Sequence, residues 1–266
     1  MNSIPPEISI LIPAFNEEQL IGGVIDSVHQ SFAAIAPRSY EIVVCDNNST
    51  DRTAAVALAK GAIVVPEPHN QIARARNTAA KCARGKWLIF LDGDTFLSPA
   101  LLENTIAAFE SGRICAGGSV LEFDNRSIGF FARMLVKTWN PVSAFFGLAA
   151  GSYLFCYRQA WVETGGFDEN FYAGEEIFFS RKLKHWAKER GLKFKVFTSA
   201  PVITSARKME WYGQWELIST MLKMAWPGAI NRRDQCDLWY TRPAAANPKA
   251  DPGERIPPPG DCSAES

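Results

Sequence analysis

The chain has 266 residues, 28 basic and 28 acidic, with 47% hydrophobic and 21% charged side chains. This balance suits a folded protein with one large domain, or one domain and a small extension. It excludes a general nucleic-acid binder, which carries a marked basic excess.

Six cysteines, Cys45, Cys82, Cys115, Cys156, Cys236 and Cys262, lie far apart with no C-x-x-C pair. That spacing argues against a zinc site and predicts reduced, mostly buried thiols in a cytoplasmic protein. Met1 to Pro6 has neither the basic nor the apolar region of a signal peptide.

Ile8 to Pro13 predicts a first strand, stopped by Pro13, which cannot donate to a ladder. Asn16 is then expected to open a helix with Glu17 and Glu18 in its first turn, where the dipole favours anions. Leu20, Ile21, Val24, Ile25 and Val28 follow the helical period. Glu41 to Cys45 reads as a strand ending in the polar loop Asp46 to Asp51. A helix from Arg52 to Lys60 follows, ended by Gly61. Ala62 to Val65 reads as a short strand and Asn70 to Arg84 as a helix closed by Gly85. Trp87 to Leu91 is a continuous apolar run, the pattern of a strand covered on both faces.

Strands alternating with helices imply a parallel sheet with right-handed crossovers. Ligands of such sheets bind at the carboxyl ends of the strands. Those ends carry Pro13-Ala14-Phe15, Asp46 and Asp92-Gly93-Asp94. The glycine permits a tight turn, so the two carboxylates can converge on one cation. Oxygen ligands suit Mg²⁺ or Mn²⁺, with substrate phosphates completing the shell. Taken alone, Asp-Gly-Asp is more often a solvated turn; its place at a strand end favours the functional reading.

Ser98-Pro99 should start the next helix, with proline at its first position. Ile114 to Phe123 reads as a strand, with Gly117-Gly118 marking a bulge or a close approach. Ser127 to Trp139 reads as an aromatic-rich helix. The apolar run Pro141 to Tyr157 is at the short limit for a bilayer helix. Ser143, Gly147, Gly151 and Ser152 interrupt it, so it reads as a loop or helix end before a strand, Tyr153 to Tyr157. No transmembrane helix is expected. A short helix, Arg158 to Thr164, ends at Gly165-Gly166. Glu175 to Arg190 reads as a helix, Lys193 to Phe197 as a strand, and Glu210 to Ala225 as a helix bearing Trp211 and Trp215. Beyond Pro243 the proline-rich tail is expected to be poorly ordered or to wrap the surface.

Six stretches together resemble family 2 glycosyltransferases of the GT-A fold. They are Ile12-Pro13-Ala14-Phe15-Asn16-Glu17-Glu18, Val44 to Asp51, Ala75-Arg76-Asn77, Leu91-Asp92-Gly93-Asp94, Gly165-Gly166-Phe167-Asp168, and Gly174-Glu175-Glu176 followed by Arg181. The resemblance covers roughly residues 7 to 205. It implies an α/β fold with a mostly parallel, Rossmann-like central sheet flanked by helices. The implied divisions are 7–112 for the nucleotide-sugar half and 113–205 for the acceptor half, then a helical extension, 206–242, and the tail, 243–266. The implied activity is metal-dependent transfer of a sugar from a nucleotide sugar, UDP- or GDP-linked, to a saccharide or lipid-linked hydroxyl acceptor, with inversion.

Carried over by residue, Asp94 would ligate Mn²⁺ or Mg²⁺ on the donor diphosphate, and Asp92 would contact the ribose or a metal-bound water. Asp46 would bond the base, with Pro13, Ala14, Phe15 and Glu17 around the nucleoside and Gly93 in the metal turn. A helix-capping role for Asp46 stands beside that reading. Arg76, and Arg74 as a second candidate, would lie near the base and phosphates, or else form a solvated helix face. Glu176 occupies a position that is aspartate in the family and supplies the general base. The longer side chain leaves Glu175 as a rival, and dipole-favoured helix acids as the plain alternative. No histidine follows the last strand to complete a metal site; Arg207 and Lys208 could hold the diphosphate instead. Trp211, Tyr212, Trp215 and Trp226, with Lys223, Arg232 and Arg233, could be core, an acceptor platform or a peripheral membrane contact. Two other classes stay open: a sugar- or nucleotide-binding protein without turnover, and a nucleotidyltransferase. The latter would normally carry a glycine- and basic-rich phosphate loop after the first strand.

Overall fold

The computed structural model describes residues 5–124, 151–207, 229–236 and 240. The elements run β1 (Ile8–Ala14), α1 (Ile21–Ala33), β2 (Tyr40–Asp46), α2 (Thr53–Ala59), β3 (Ile63–Pro66), α3 (Ile72–Cys82), β4 (Trp87–Leu91), β5 (Thr95–Phe96), α4 (Pro99–Glu110), β6 (Ile114–Phe123), β7 (Tyr153–Tyr157), α5 (Arg158–Thr164), α6 (Glu175–Glu189) and β8 (Lys193–Thr204). Short 3₁₀ turns follow at Ala229–Asn231 and Arg233–Gln235.

One eight-stranded sheet has the order β3-β2-β1-β4-β7-β6-β8-β5. The β1, β2, β3 and β4 pairings are parallel, as alternation with helices requires. β7 is antiparallel to both β4 and β6, so the second half is mixed. Side chains alternate across the sheet. Ile10, Ile12, Ile42, Val44, Ile89 and Leu91 pack against Ile21, Val24, Ile25 and Val28 of α1 and Leu101, Leu102 and Ile106 of α4. Leu11, Val43, Leu88 and Phe90 face the opposite layer, where Ala73, Ala75, Ala79 and Ala80 of α3 and Phe179, Leu183 and Trp186 of α6 cover them. Both faces are therefore buried, which explains the uninterrupted apolar run of β4.

Several boundaries differ from the sequence reading. β1 continues through Pro13, which pairs with Cys45 of β2. The ladder to β4 ends at Leu11, so beyond it one side of β1 needs no donor. α1 begins at Ile21, not Asn16. Asn16 has φ 52°, and the Glu17 carbonyl accepts the Leu20 and Ile21 N–H groups instead. No acid lies in the first turn of α1. α3 is shorter at both ends than the expected helix and is not closed by Gly85. At Gly85 a Cβ would lie 2.6 Å from Ser9 Oγ, so this glycine serves the close approach to β1. β8 runs seven residues past Phe197, and the two-residue β5 that pairs with it was not foreseen.

Other expectations hold. Ser98 Oγ accepts the Leu101 N–H, with Pro99 at the first helical position. A Cβ on Gly117 would sit 1.9 Å from Lys195 O, so the close approach is real and the register shifts lie elsewhere in β6. The helices expected over Ser127 to Trp139 and Glu210 to Ala225, most of the run from Pro141, and the tail lie outside the described residues. Among the described residues, no helix is long and apolar enough to cross a membrane.

Candidate active site

Parallel register brings the loops after β1, β2 and β4 to one edge of the sheet. Ala14 lies opposite Asp46, and the Asn47 N–H donates to Ala14 O at 2.8 Å. Gly93 packs so closely under this edge that a Cβ would meet Pro13 O at 3.2 Å and Glu17 Cγ at 3.4 Å. The Pro13-Ala14-Phe15 corner, Glu17, Asp46 and the Asp92-Gly93-Asp94 turn thus form one crevice.

Asp46 is partly buried, and burial pushes its carboxyl upward, with the Ser49 hydrogen bonds partly offsetting this. Its Oδ1 accepts the Ser49 N–H at 3.2 Å. The start of α2 is handled by another acid: Asp51 Oδ1 accepts the Thr53 N–H at 2.9 Å. Capping therefore does not require Asp46. Asp94 is 4% exposed, with the Thr95 and Thr204 hydroxyls each donating to Oδ1 at 3.4 Å. The Ser205 N–H donates to Asp94 O at 2.9 Å, which ties the segment after β8 to the acidic turn. Arg207, two residues on, pairs with the buried Glu17 carboxylate.

The centre of the site is Arg76, 3% exposed on α3. Nη1 donates to Glu175 Oε1 at 2.6 Å, and Nη2 donates to Asp92 Oδ1 at 2.9 Å and Gly151 O at 2.8 Å. Phe167 packs against the guanidinium, 5.2 Å from ring centroid to Cζ. Burial opposes its charge, but Asp92 and Glu175 outweigh burial and keep it protonated. Arg74 lies on another face of the helix, 3.0 Å from Glu169 Oε2 and 3.7 Å from Glu67 Oε1. It is not joined to the acidic turn.

Gly174, with φ 73°, releases the chain into α6, whose first two residues are Glu175 and Glu176. Glu175 is buried in the Arg76 bridge, and burial raises its pKa against the pull of that arginine. Glu176 lies beside Gly151, where a Cβ would be 3.1 Å from its Cδ. Burial first, then the neighbouring Glu175 charge, push the Glu176 carboxyl up to about 7. The two acids are thus different: one locked in an ion pair, the other able to exchange a proton near neutral pH.

The loop that delivers them rests on α3. Asn77 Nδ2 donates to Phe167 O at 2.9 Å and its Oδ1 accepts the Phe167 N–H at 3.0 Å. Gly166 has φ 65°, and a Cβ there would stand 2.6 Å from Asn77 Oδ1. Gln71 Nε2 donates to Glu169 O and Phe171 O at 2.7 and 3.0 Å. Sequence reading left Gln71, Asn77 and Gly151 out of the site. Asn77 sits inside a motif used to read the sequence, whereas Gln71 and Gly151 carry no local signal. Of the distal aromatic and basic cluster, Arg232 and Arg233 are described: Arg232 pairs with Asp234, and Arg233 lies over the Tyr240 ring.

The model of the family described as glycosyl transferase family 2 matches residues 9–153, more than half of the chain. The chain belongs to glycosyl transferase family 2. A relative from Escherichia coli, the UDP-Glc:alpha-D-GlcNAc-diphosphoundecaprenol beta-1,3-glucosyltransferase WfgD, is 31% identical over 142 residues, covering 51% of this chain and 54% of that protein. The chain thus matches about half the length of this curated relative. Among solved structures, S. aureus TarS 1-349 in complex with UDP superposes with a TM-score of 0.58 at 18% identity, over 75% of this chain and 60% of that one. The mannosyltransferase PcManGT from Pyrobaculum calidifontis, in complex with GDP-Man and Mn²⁺, superposes with a TM-score of 0.58 at 19% identity, over 82% and 61%. The family 2 chain therefore has the α/β architecture of GT-A glycosyltransferase structures.

Proposed function

We propose that the chain is a divalent-metal-dependent, inverting glycosyltransferase that moves a sugar from a UDP- or GDP-linked donor to a hydroxyl acceptor. The observation that carries this reading is the Arg76 bridge. It joins Asp92, at the donor-side turn, to Glu175, beside the acceptor-side acid Glu176. A donor carboxylate turn and a proton acceptor are thereby held in one site.

Residues 7–112 would form the donor half and 113–205 the acceptor half. Asp46 would accept N–H groups of the base, with the Pro13-Ala14-Phe15 corner and Glu17 beside the nucleoside. Asp94 and Asp92 would hold Mn²⁺ or Mg²⁺. Among the described residues, no group of three or more His, Cys, Asp and Glu side chains is placed to hold a metal alone. Two carboxylates fit a cation that takes its remaining oxygens from a diphosphate and water. When bound, such an ion stabilises charge on the departing diphosphate.

The chain's own residues do the rest. Glu176, with its carboxyl near neutrality, takes the proton from the acceptor hydroxyl. The acceptor oxygen bonds to the anomeric carbon as the bond to the diphosphate oxygen breaks, and the nucleoside diphosphate leaves with the electron pair. Attack opposite the leaving group inverts the centre. Arg207, paired with Glu17, would turn towards the diphosphate. The diphosphoundecaprenol acceptor in the name of the Escherichia coli relative supports a lipid-linked acceptor; with such an acceptor, the chain would work at the cytoplasmic face of a membrane.

Thermal melting with UDP, GDP, CMP and dTDP, each with and without Mn²⁺, tests the donor site. A nucleotide at 100 times its Kd should stabilise the native chain by about 2.7 kcal/mol. One nucleotide should act only with metal, and Asp94→Asn should abolish its effect. A folded chain that no nucleotide stabilises would refute the reading.

A further inference from the structure

The loop that carries Glu175 and Glu176 is held from two sides. α3 holds one side through Gln71 and Asn77. The other side meets residues more than fifty positions later in the chain, within 229–236 and at 240. Tyr172 N–H donates to Ile230 O at 2.7 Å, and Asn231 Nδ2 donates to Asn170 O at 3.0 Å. Tyr240 completes the contact. Its hydroxyl donates to Tyr172 O at 2.8 Å and accepts the Ile72 N–H at 3.3 Å. Ile72 is the first residue of α3, so its N–H has no partner inside the helix. The Tyr240 ring stands edge-on to Tyr172 at 5.7 Å. It closes a small apolar cluster with Ala173 and Cys236, separate from the two main cores. Tyr240 is 4% exposed. Burial and then the Glu175 charge raise its phenol, which marks it as a neighbour of the acidic pair.

We infer that Tyr240 is a positioning residue: its hydroxyl clamps the loop before Glu175 to the first turn of α3, the helix that carries Arg76. One oxygen thus fixes the two elements whose separation sets the Arg76–Glu175 bridge. The catalytic consequence rests on the reading of Glu176 as the base; the clamp itself does not. The loop before the acidic pair is thus held by chain from beyond residues 7 to 205, the stretch that resembles the family.

The test compares the full chain with its Tyr240→Phe variant, which keeps the ring in its pocket and removes only the oxygen. Amide hydrogen exchange should quicken by about tenfold at Ile72 and across 170–176, while the β1 and β4 amides keep their protection. With UDP-glucose, UDP-N-acetylglucosamine or GDP-mannose and Mn²⁺, nucleotide release should fall by about tenfold at saturating donor, with the nucleotide Kd unchanged by calorimetry. Unchanged exchange at 170–176 would overturn the clamp, as would faster exchange spread evenly over the sheet. Local loosening with undiminished nucleotide release would overturn the positioning role. A wild-type chain that binds none of these donors would overturn the glycosyltransferase reading instead, and the exchange comparison would still decide the clamp.

Discussion

Glu175 and Glu176 are adjacent in sequence and chemically opposed. Glu175 is spent on Arg76; Glu176, at the edge of the same cluster, keeps a proton up to about pH 7. Glu176→Gln should therefore lower turnover by about 10²- to 10⁴-fold, the usual contribution of a general base, with nucleotide binding unchanged in a titration. The groups that face Glu176 are Glu175, Arg76 and Asp92. Removing one negative neighbour, as in Glu175→Gln, should move the rising limb of the pH–rate profile to lower pH, because less charge then opposes ionisation. An unmoved limb would mean that Glu176 is not the titrating base. The stability sign is opposite. A carboxyl at 4.5 unfolded and about 7 folded binds more protons when native, so stability falls as pH rises through that window. Urea melts at a series of pH values should show this slope, and Glu176→Gln should flatten it. Arg76→Met should cost about 3–5 kcal/mol in the same melts, since it strands the buried Glu175 charge.

At the scale of elements, glycine decides how closely strands and loops can approach. Gly117 puts β6 against β8, and its missing Cβ would strike the Lys195 carbonyl. Backbone cannot give way as a side-chain tip can. Gly117→Ala should therefore cost about 3 kcal/mol, the upper end of the usual overpacking range, read as a fall in melting temperature. Gly151 is the functional counterpart. Its carbonyl accepts a hydrogen bond from Arg76, and its missing Cβ leaves room for the Glu176 carboxyl. The loop after β1 is also an element with a task. Asn16 turns through the left-handed region, and the chain then buries Glu17 at the crevice instead of spending it on the first turn of α1.

For the molecule as a whole, the two faces of one sheet hold two cores, and the candidate site lies at the sheet edge where the loops after β1, β2 and β4 meet. On the proposed reading, a metal ion would bind as part of a substrate complex, since no described group of three or more His, Cys, Asp and Glu side chains could hold one alone. EDTA should accordingly leave the melting temperature of the nucleotide-free chain unchanged and erase the stabilisation given by nucleotide with Mn²⁺. A large loss of stability in EDTA without nucleotide would show a structural ion.

The sequence by itself determined the strand–helix alternation, the limits of β4, β6 and β7, the cap at Ser98, and the grouping of Asp46 with Asp92 and Asp94 at one sheet edge. These follow from local causes: apolar period, side-chain capping and the direction of parallel strands. It also carried the six motifs whose order matches the family. Tertiary structure alone decided which of Glu175 and Glu176 is paired, because that depends on where Arg76, seventeen residues before Gly93, ends up in space. It separated Arg76 from Arg74, which share a helix but not a face. It carried β1 through Pro13, because a ladder that ends on one side no longer asks for a donor. It also brought Tyr240 to the loop before the acidic pair, a contact with Tyr172 and Ile72 between residues distant in sequence that no local pattern encodes.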